Sequence, residues 1–454
     1  MNKLFLLFIA LFFATFSYAS KDIKPVAFNT GSNVCFVGDS ITHSGKYIKN
    51  IVLFYATRYP SDKVNFYNIG IGGDGISYVN RRFQKDVLSH SPNFAVLMIG
   101  MNDTGTLKEN PTHLDRSNIK KNREMYVKYL DEIIKKAQNA NCQLILFAPS
   151  PYDENAKLKN VPVRFGKHKE LEHLSDLCRR MAFKHRLPLV DMWNYMMDID
   201  TIVQKEYPKL TMAGGDRIHP RDMGGYVMMA NFIRTLAEHR DISTVEIDAE
   251  KSKLEFSYNC NVSNLKATKT SVVFDSLEYS LPFPLNNDTK FIEKYIHFVK
   301  DYNRQIIKVM NLQKGDYNLI IDGKIVGKYS SDELSKGLNI GNNPKTPQYA
   351  QAMQVEKASF EFRDYCVMLR EIDAIERWQS LYLIDSTEDR IAKVEKDLKE
   401  NKITRPYIKT RALLYKERKL KQAEMFEKSR TLFDEIYKVA TPQKHTFELK
   451  KISK

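Results

Sequence analysis

Between residues 32 and 240, short apolar runs alternate with longer amphipathic stretches, and this alternation restricts the fold more than any other feature of the chain. The runs at 34–38, 64–69, 94–99, 143–148 and 187–191 are nearly continuous in apolar character, as strands buried on both faces are. Between them, 44–59, 78–89, 120–140 and 167–185 read as helices. In the longest, Tyr126, Leu130, Ile133, Ile134 and Ala137 share one face at a 3.6-residue period. A last helix is expected over 223–237. Short apolar strands alternating with helices predict a parallel sheet covered on both sides, which is a three-layer α/β/α domain.

After about residue 240 the texture changes. Lys253-Leu254-Glu255-Phe256 and Ser271-Val272-Val273-Phe274 read as strands, and Asp322-Gly323 between apolar runs signals a hairpin. A helix is expected to interrupt this β-rich part near 289–304. Residues 347–440 read as almost wholly helical, with one break at Arg405-Pro406. Thr446-Phe447-Glu448-Leu449 alternates like a strand that returns to the β-rich part. Along 360–381, Tyr365, Met368, Leu369, Ile372 and Trp378 are expected to pack internally rather than to form a binding surface. The division is therefore 20–240 for the α/β domain, 241–346 for a small β-rich domain, and 347–454 for a helical region with a terminal strand.

Met1-Asn2-Lys3, an apolar stretch over 4–16 and Ser17-Tyr18-Ala19 form the pattern of an export signal spanning 1–19, with cleavage after Ala19. The product is expected in the periplasm or outside the cell. No cysteine lies near the cleavage point, so a lipid anchor is not expected, and no later stretch approaches the ~20 apolar residues of a membrane span. Cys35, Cys142, Cys178, Cys260 and Cys366 are odd in number and widely spaced, which predicts few or no disulfides and no clustered metal site. The net charge is +15, of which roughly +9 falls within 391–454. There the lysines and arginines interleave with Glu417, Glu424 and Glu427 at helical spacing, as on a solvated helix face. No nucleic-acid-binding motif accompanies the charge, so nucleic acid is not an expected partner.

Ser40 stands in Gly38-Asp39-Ser40-Ile41-Thr42, directly after the first strand, and Asp216-Arg217-Ile218-His219-Pro220 precedes the last helix. Reactive groups of a doubly wound sheet collect outside the carboxyl ends of its strands. That rule brings both segments together with Gly70-Ile71-Gly72-Gly73-Asp74-Gly75 and Gly100-Met101-Asn102-Asp103. A serine hydroxyl needs an adjacent base to attack a carbonyl, for which His219 is the candidate, and Asp216 lies close enough to orient the imidazole. The Ser40 and Gly73 backbone N–H groups and the Asn102 amide are candidate donors to the oxyanion that attack creates, although the four glycines at 70, 72, 73 and 75 also suit a simple tight loop. His43, Tyr152 and Arg217 are candidate substrate contacts. This chemistry calls for no metal and no organic cofactor.

The four blocks Gly38–Thr42, Asn68–Asp74, Gly100–Asp103 and Asp216–Pro220 resemble those of the SGNH, or GDSL, hydrolases in content and order. The resemblance covers about 32–240. It implies Ser40 as nucleophile, Asp216 and His219 as its triad partners, and Gly73 and Asn102 as oxyanion donors. Leu281-Pro282-Phe283-Pro284 and Lys336-Gly337-Leu338-Asn339-Ile340 look like the tail of large exported members associated with polysaccharide breakdown. The expected activity is an exported serine esterase that removes O-acetyl groups from an oligo- or polysaccharide. The alternatives are a lipid acylhydrolase, an O-acyltransferase acting on glycans and, outside enzymes, a carbohydrate-binding or scaffold role for the C-terminal half. The oligomeric state is left open.

Overall fold

The computed structural model describes residues 28–105, 108–237 and 241–453, and the export signal read at 1–19 lies outside them. Strands β1 (Asn33–Gly38), β2 (Asn65–Gly70), β3 (Phe94–Met98), β4 (Gln143–Ala148) and β5 (Leu189–Asp191) form one parallel sheet in the order β2-β1-β3-β4-β5. Helices α1 (Ser40–His43), α2 (Lys46–Arg58), α3 (Ile76–Arg82), α4 (His113–Asn139), α5 (Lys167–His185), α6 (Met192–Glu206) and α7 (Asp222–Leu236) complete this part. Alternate residues of β1 serve opposite layers. Val34 and Phe36 pack with residues of α2 and α7, while Cys35 and Val37 pack with residues of α3, α4 and α5. Both faces are buried, which is why the strands read as continuous apolar runs.

Two helices depart from the expected pattern. α4 starts at His113, earlier than its apolar period indicates, because Thr112 and Asp115 form a reciprocal capping box. α6 was not expected at all. Asp191 caps it by accepting the Asn194 N–H at 3.2 Å, and Met192, Trp193, Met196, Ile199 and Val203 bury one side.

Beyond α7 lie two further sheets. The first joins β6 (Ser243–Asp248), β7 (Lys253–Tyr258), β10 (Gln305–Met310) and β13 (Leu338–Asn339) in the order β13-β10-β6-β7. The second runs β12-β11-β14-β9-β8 and contains β8 (Cys260–Thr268), β9 (Ser271–Glu278), β11 (Asp316–Ile321), β12 (Lys324–Ser330) and β14 (Lys444–Lys451). The terminal strand β14 thus sits between β9 and β11, and Phe447 stacks on Phe274 with ring centres 5.0 Å apart. Asp322 and Gly323 both take positive φ (48° and 76°), as a two-residue hairpin turn of this hand requires. The helix expected near 289–304 is two helices, α8 (Asn287–Ile296) and α9 (Phe298–Tyr302), separated by left-handed His297.

Five helices follow: α10 (Ser331–Lys336), α11 (Pro347–Trp378), α12 (Thr387–Lys399), α13 (Pro406–Leu420) and α14 (Gln422–Ala440). Pro406 opens α13 at a position where a missing N–H costs nothing. The core does not respect the boundaries read from composition. The apolar layer between α2 and α7 continues through Phe283, Ile292 and Phe298 into Val355, Phe362, Phe433 and Ile436.

α11 also reaches the sheet through charge. Arg370, 5% exposed at its side chain, donates from Nε to the Gly70 carbonyl (3.1 Å) and from Nη2 to the Ile69 carbonyl (3.2 Å). Its Nη1 donates to Asp86 Oδ1 and to Asp373 Oδ2, both at 2.8 Å, and its Nη2 also binds Asp86 Oδ2. Arg82 continues the chain, donating to Asp86 Oδ2 (2.7 Å), Asp74 Oδ2 (2.8 Å) and the Gly38 carbonyl (3.3 Å). Arg377 closes it on Asp74 Oδ1 at 2.8 Å.

Burial alone would raise the Asp86 carboxyl, but Arg370 and Arg82 hold it well below the usual carboxylate range. Its contribution is complete above about pH 4 and is lost as pH falls through its depressed folded value. Asp86→Asn leaves Arg370 buried without its main counter-charge and should cost about 3–5 kcal/mol at pH 7. The gap to wild type should narrow in acid. Urea denaturation at pH 7 and pH 3 measures both effects, and an equal midpoint at pH 7 would refute the assigned role.

Candidate active site

Gly38 and Gly70 are register partners in the parallel pair β1–β2, and Gly38 also pairs with Met98 of β3. The loops after these three strands therefore leave the sheet at one level. Ser40 stands at the start of α1, where Asp39 caps the turn by accepting the Ile41 N–H at 2.9 Å. Asp39 is 2% exposed, and burial pushes its carboxyl up to about 6. Gly70 is required by close approach, since a Cβ there would lie 2.2 Å from the His43 backbone nitrogen.

Ser40 Oγ lies 2.7 Å from His219 Nε2, and His219 Nδ1 lies 2.6 Å from Asp216 Oδ2. Asp216 Oδ1 accepts the backbone N–H groups of Ile218 (3.1 Å) and His219 (2.9 Å), so the loop that carries the carboxylate also fixes its rotamer. Burial pulls the Asp216 carboxyl upward, but its bonds to His219 outweigh that and hold it well below the ordinary range. An anionic carboxylate on Nδ1 favours the tautomer that leaves Nε2 free to take a proton from Ser40. The relay is open: the His219 and Asp216 side chains are 39% and 47% exposed.

Three groups were read from the sequence as oxyanion donors. Among the described residues, neither the Ser40 nor the Gly73 N–H has an internal partner. Gly73 takes φ +81°, a left-handed conformation that favours glycine, so the loop turns here and not at a residue with a side chain. Asn102, exposed at the end of the β3 loop, donates one amide hydrogen to the Asp74 carbonyl at 2.9 Å and retains a second. Below, Lys167 is buried and holds the same loop by donating to the Met101 carbonyl (2.5 Å) and Thr104 Oγ1 (3.0 Å). Desolvation lowers its ammonium to about 8. Asp103 accepts the Ile76 N–H at 2.8 Å, and burial raises its carboxyl to about 7. A hydroxyl, a base and an orienting carboxylate in hydrogen-bond contact form a set suited to acyl transfer.

The three residues read as substrate contacts need correction, because each is buried and engaged internally. The His43 ring, 7% exposed, accepts the Gly72 N–H on Nδ1 at 3.2 Å, and burial lowers it to about 3, so it is a neutral brace beneath the glycine loop. Tyr152, 1% exposed, accepts the Arg164 N–H at 2.8 Å and donates to the Pro162 carbonyl at 3.4 Å. Arg217 takes φ +66° and turns its guanidinium inward onto the carbonyls of Asp153, Ala156 and Val161, at 2.8–3.3 Å. It ties the loop over 153–161 to the Asp216–His219 turn.

Sequence reasoning also missed a residue that reaches the site. Trp378, read as core, ends α11 beside the glycine loop and donates from Nε1 to the Gly72 carbonyl at 2.7 Å. Arg370, Asp373 and Arg377 interrupt the apolar face of the same helix at spacings of three and four. That polar stripe was the available signal.

The GDSL-like lipase/acylhydrolase family model matches residues 36–225. The acetylxylan esterase of Geobacillus stearothermophilus is 22% identical over 228 residues, which are 46% of this chain and 94% of that protein. The solved structure of BT4096, a gut microbial diltiazem-metabolizing enzyme, is 26% identical, covers 95% of this chain and all of its own, and superposes with a TM-score of 0.87. The β-rich and helical parts thus recur with the α/β domain in one architecture. Residues 36–225 carry a GDSL-like lipase/acylhydrolase family domain.

Proposed function

We propose that the protein is an exported serine esterase that removes O-acetyl groups from carbohydrate. The observation that carries this reading is the unbroken chain Ser40 Oγ–His219 Nε2–Asp216 at 2.7 and 2.6 Å. His219 takes the Ser40 proton as Oγ bonds to the ester carbonyl carbon. The tetrahedral oxyanion lies among the Ser40 and Gly73 N–H groups and the Asn102 amide. His219 then passes the proton to the departing alcohol, leaving an acyl-enzyme. Water, deprotonated by His219, attacks the acyl carbon and the acid leaves with Ser40 restored.

The acetyl and carbohydrate parts of the proposal are supported by the similarity to an acetylxylan esterase across nearly all of that protein's length. The openness of the relay favours a bulky alcohol over a long acyl chain, which needs an apolar trough. Export is supported by the charged, apolar and small-residue pattern of residues 1–19. The full-length structural relative acts on a small molecule, so the assay pairs acetylated xylo-oligosaccharides with a small aryl acetate.

Wild type should release acetate from both substrates and should act poorly on aryl esters of long-chain acids. Ser40→Ala should abolish release without lowering Tm, and unchanged release would sink the proposal. Asn102→Ala should lower kcat by about 10²–10³-fold with little change in KM, the pattern of a lost oxyanion donor. A rise in KM alone would remove Asn102 from that role.

A further inference from the structure

The Gly72 carbonyl and the Gly73 N–H belong to one planar peptide unit and point in opposite directions. Whatever holds the carbonyl therefore aims the N–H. The carbonyl accepts the Trp378 indole N–H at 2.7 Å, from the last residue of α11. On the other side of the loop, the Gly72 N–H donates to His43 Nδ1 at 3.2 Å. A Cβ placed on Gly72 would lie 3.3 Å from Trp378 Cζ2 and 3.8 Å from both His43 Nδ1 and Ser40 Cβ. Gly72 is thus held on both sides, its own N–H by a buried imidazole through the preceding peptide and its carbonyl by an indole through the peptide that carries the Gly73 N–H, with Ser40 adjacent.

The indole is itself fixed. Tyr407 of α13 meets it edge to face with ring centres 5.6 Å apart. The preceding residue, Arg377, donates to Asp74 Oδ1 at 2.8 Å and lays its guanidinium over the Tyr78 ring at 3.5 Å. Asp74 in turn offers its carbonyl to Asn102. The end of α11 therefore braces two donors by separate routes, one through the Gly72 carbonyl and one through Asp74.

We infer that Trp378 is a positioning residue for ester hydrolysis, setting the Gly73 N–H toward the oxyanion through its bond to the Gly72 carbonyl. The inference rests on the proposed serine-esterase reading. It gives the helical region a part in the reaction although that region supplies no triad member. A hydrogen bond to the carbonyl also polarises the peptide and strengthens its N–H as a donor.

The test uses the full chain, the aryl acetate and an alkyl fluorophosphonate. With the latter, Ser40 Oγ bonds to phosphorus, the P–F bond breaks, fluoride leaves and the Ser40 proton passes to His219, while the phosphoryl oxygen takes the oxyanion position. Trp378→Phe removes the N–H. Replacing Trp378 by β-(3-benzothienyl)alanine removes the N–H and keeps the ring shape, which serves if the Phe variant folds poorly. Both variants should show kcat and the Ser40 labelling rate lowered by roughly 10–100-fold, with KM within about twofold and Tm near wild type. Labelling of wild type together with wild-type kcat in the benzothienyl variant would overturn the inference alone, as would a rise in KM without a fall in kcat. Failure of the fluorophosphonate to label Ser40 in wild type, with no ester cleavage, would instead overturn the esterase reading and the inference with it.

Discussion

β1 pairs along its length with a parallel neighbour on each edge and packs an apolar layer on each face, so its chain leaves the sheet in one direction only. The following residue, Asp39, is buried and spends a carboxylate oxygen on the first turn of α1. These two facts fix Ser40. Because Gly38 is level with Gly70 on one side and Met98 on the other, the loops after β2 and β3 leave the sheet at the same height. The His219 loop alone comes from a distance in sequence, and its internal Asp216 bonds make it a rigid unit that needs only to be docked.

A chain of alternating charges finishes the sheet where strand pairing stops. Arg377, Asp74, Arg82, Asp86, Arg370 and Asp373 succeed one another, so each buried charge faces an opposite neighbour. Buried ion pairs are poor sources of net stability, because desolvation consumes most of their attraction. Their value here is directional. The arginine forks spend remaining donors on the carbonyls of Gly38, Ile69 and Gly70, at the very ends of β1 and β2. An apolar replacement would fill the space but leave those carbonyls unmet and the glycine loop unanchored.

The strands and the Ser40–His219–Asp216 set were legible because their signals are local. An apolar run marks a doubly buried strand, and Asp216 and His219 are three residues apart in a turn. The start of α4 was hidden because its first turns are solvated and held by a cap rather than by apolar spacing. Tyr152 and Arg217 were misread on residue type. Their partners are main-chain carbonyls and amides, which no side-chain pattern reveals. Arg370 and Asp86 stand 284 positions apart, a pairing that only the folded chain can display. The change of texture after residue 240 was real, yet the shared core shows that a shift in composition need not be a structural boundary.

A relay with its histidine 39% exposed faces a difficulty that a buried one does not. Water competes for the imidazole and weakens every electrostatic term that favours the oxyanion. Under the proposed chemistry the substrate must supply part of the missing cover. That cover falls to the alcohol, because His219 and Asp216 are the exposed members of the relay. Tyr407, 47% exposed and edge to face with Trp378, leaves an aromatic surface next to the glycine loop. Under the proposed chemistry the acyl step depends on the glycine loop, which α11 holds in place at the Gly72 carbonyl.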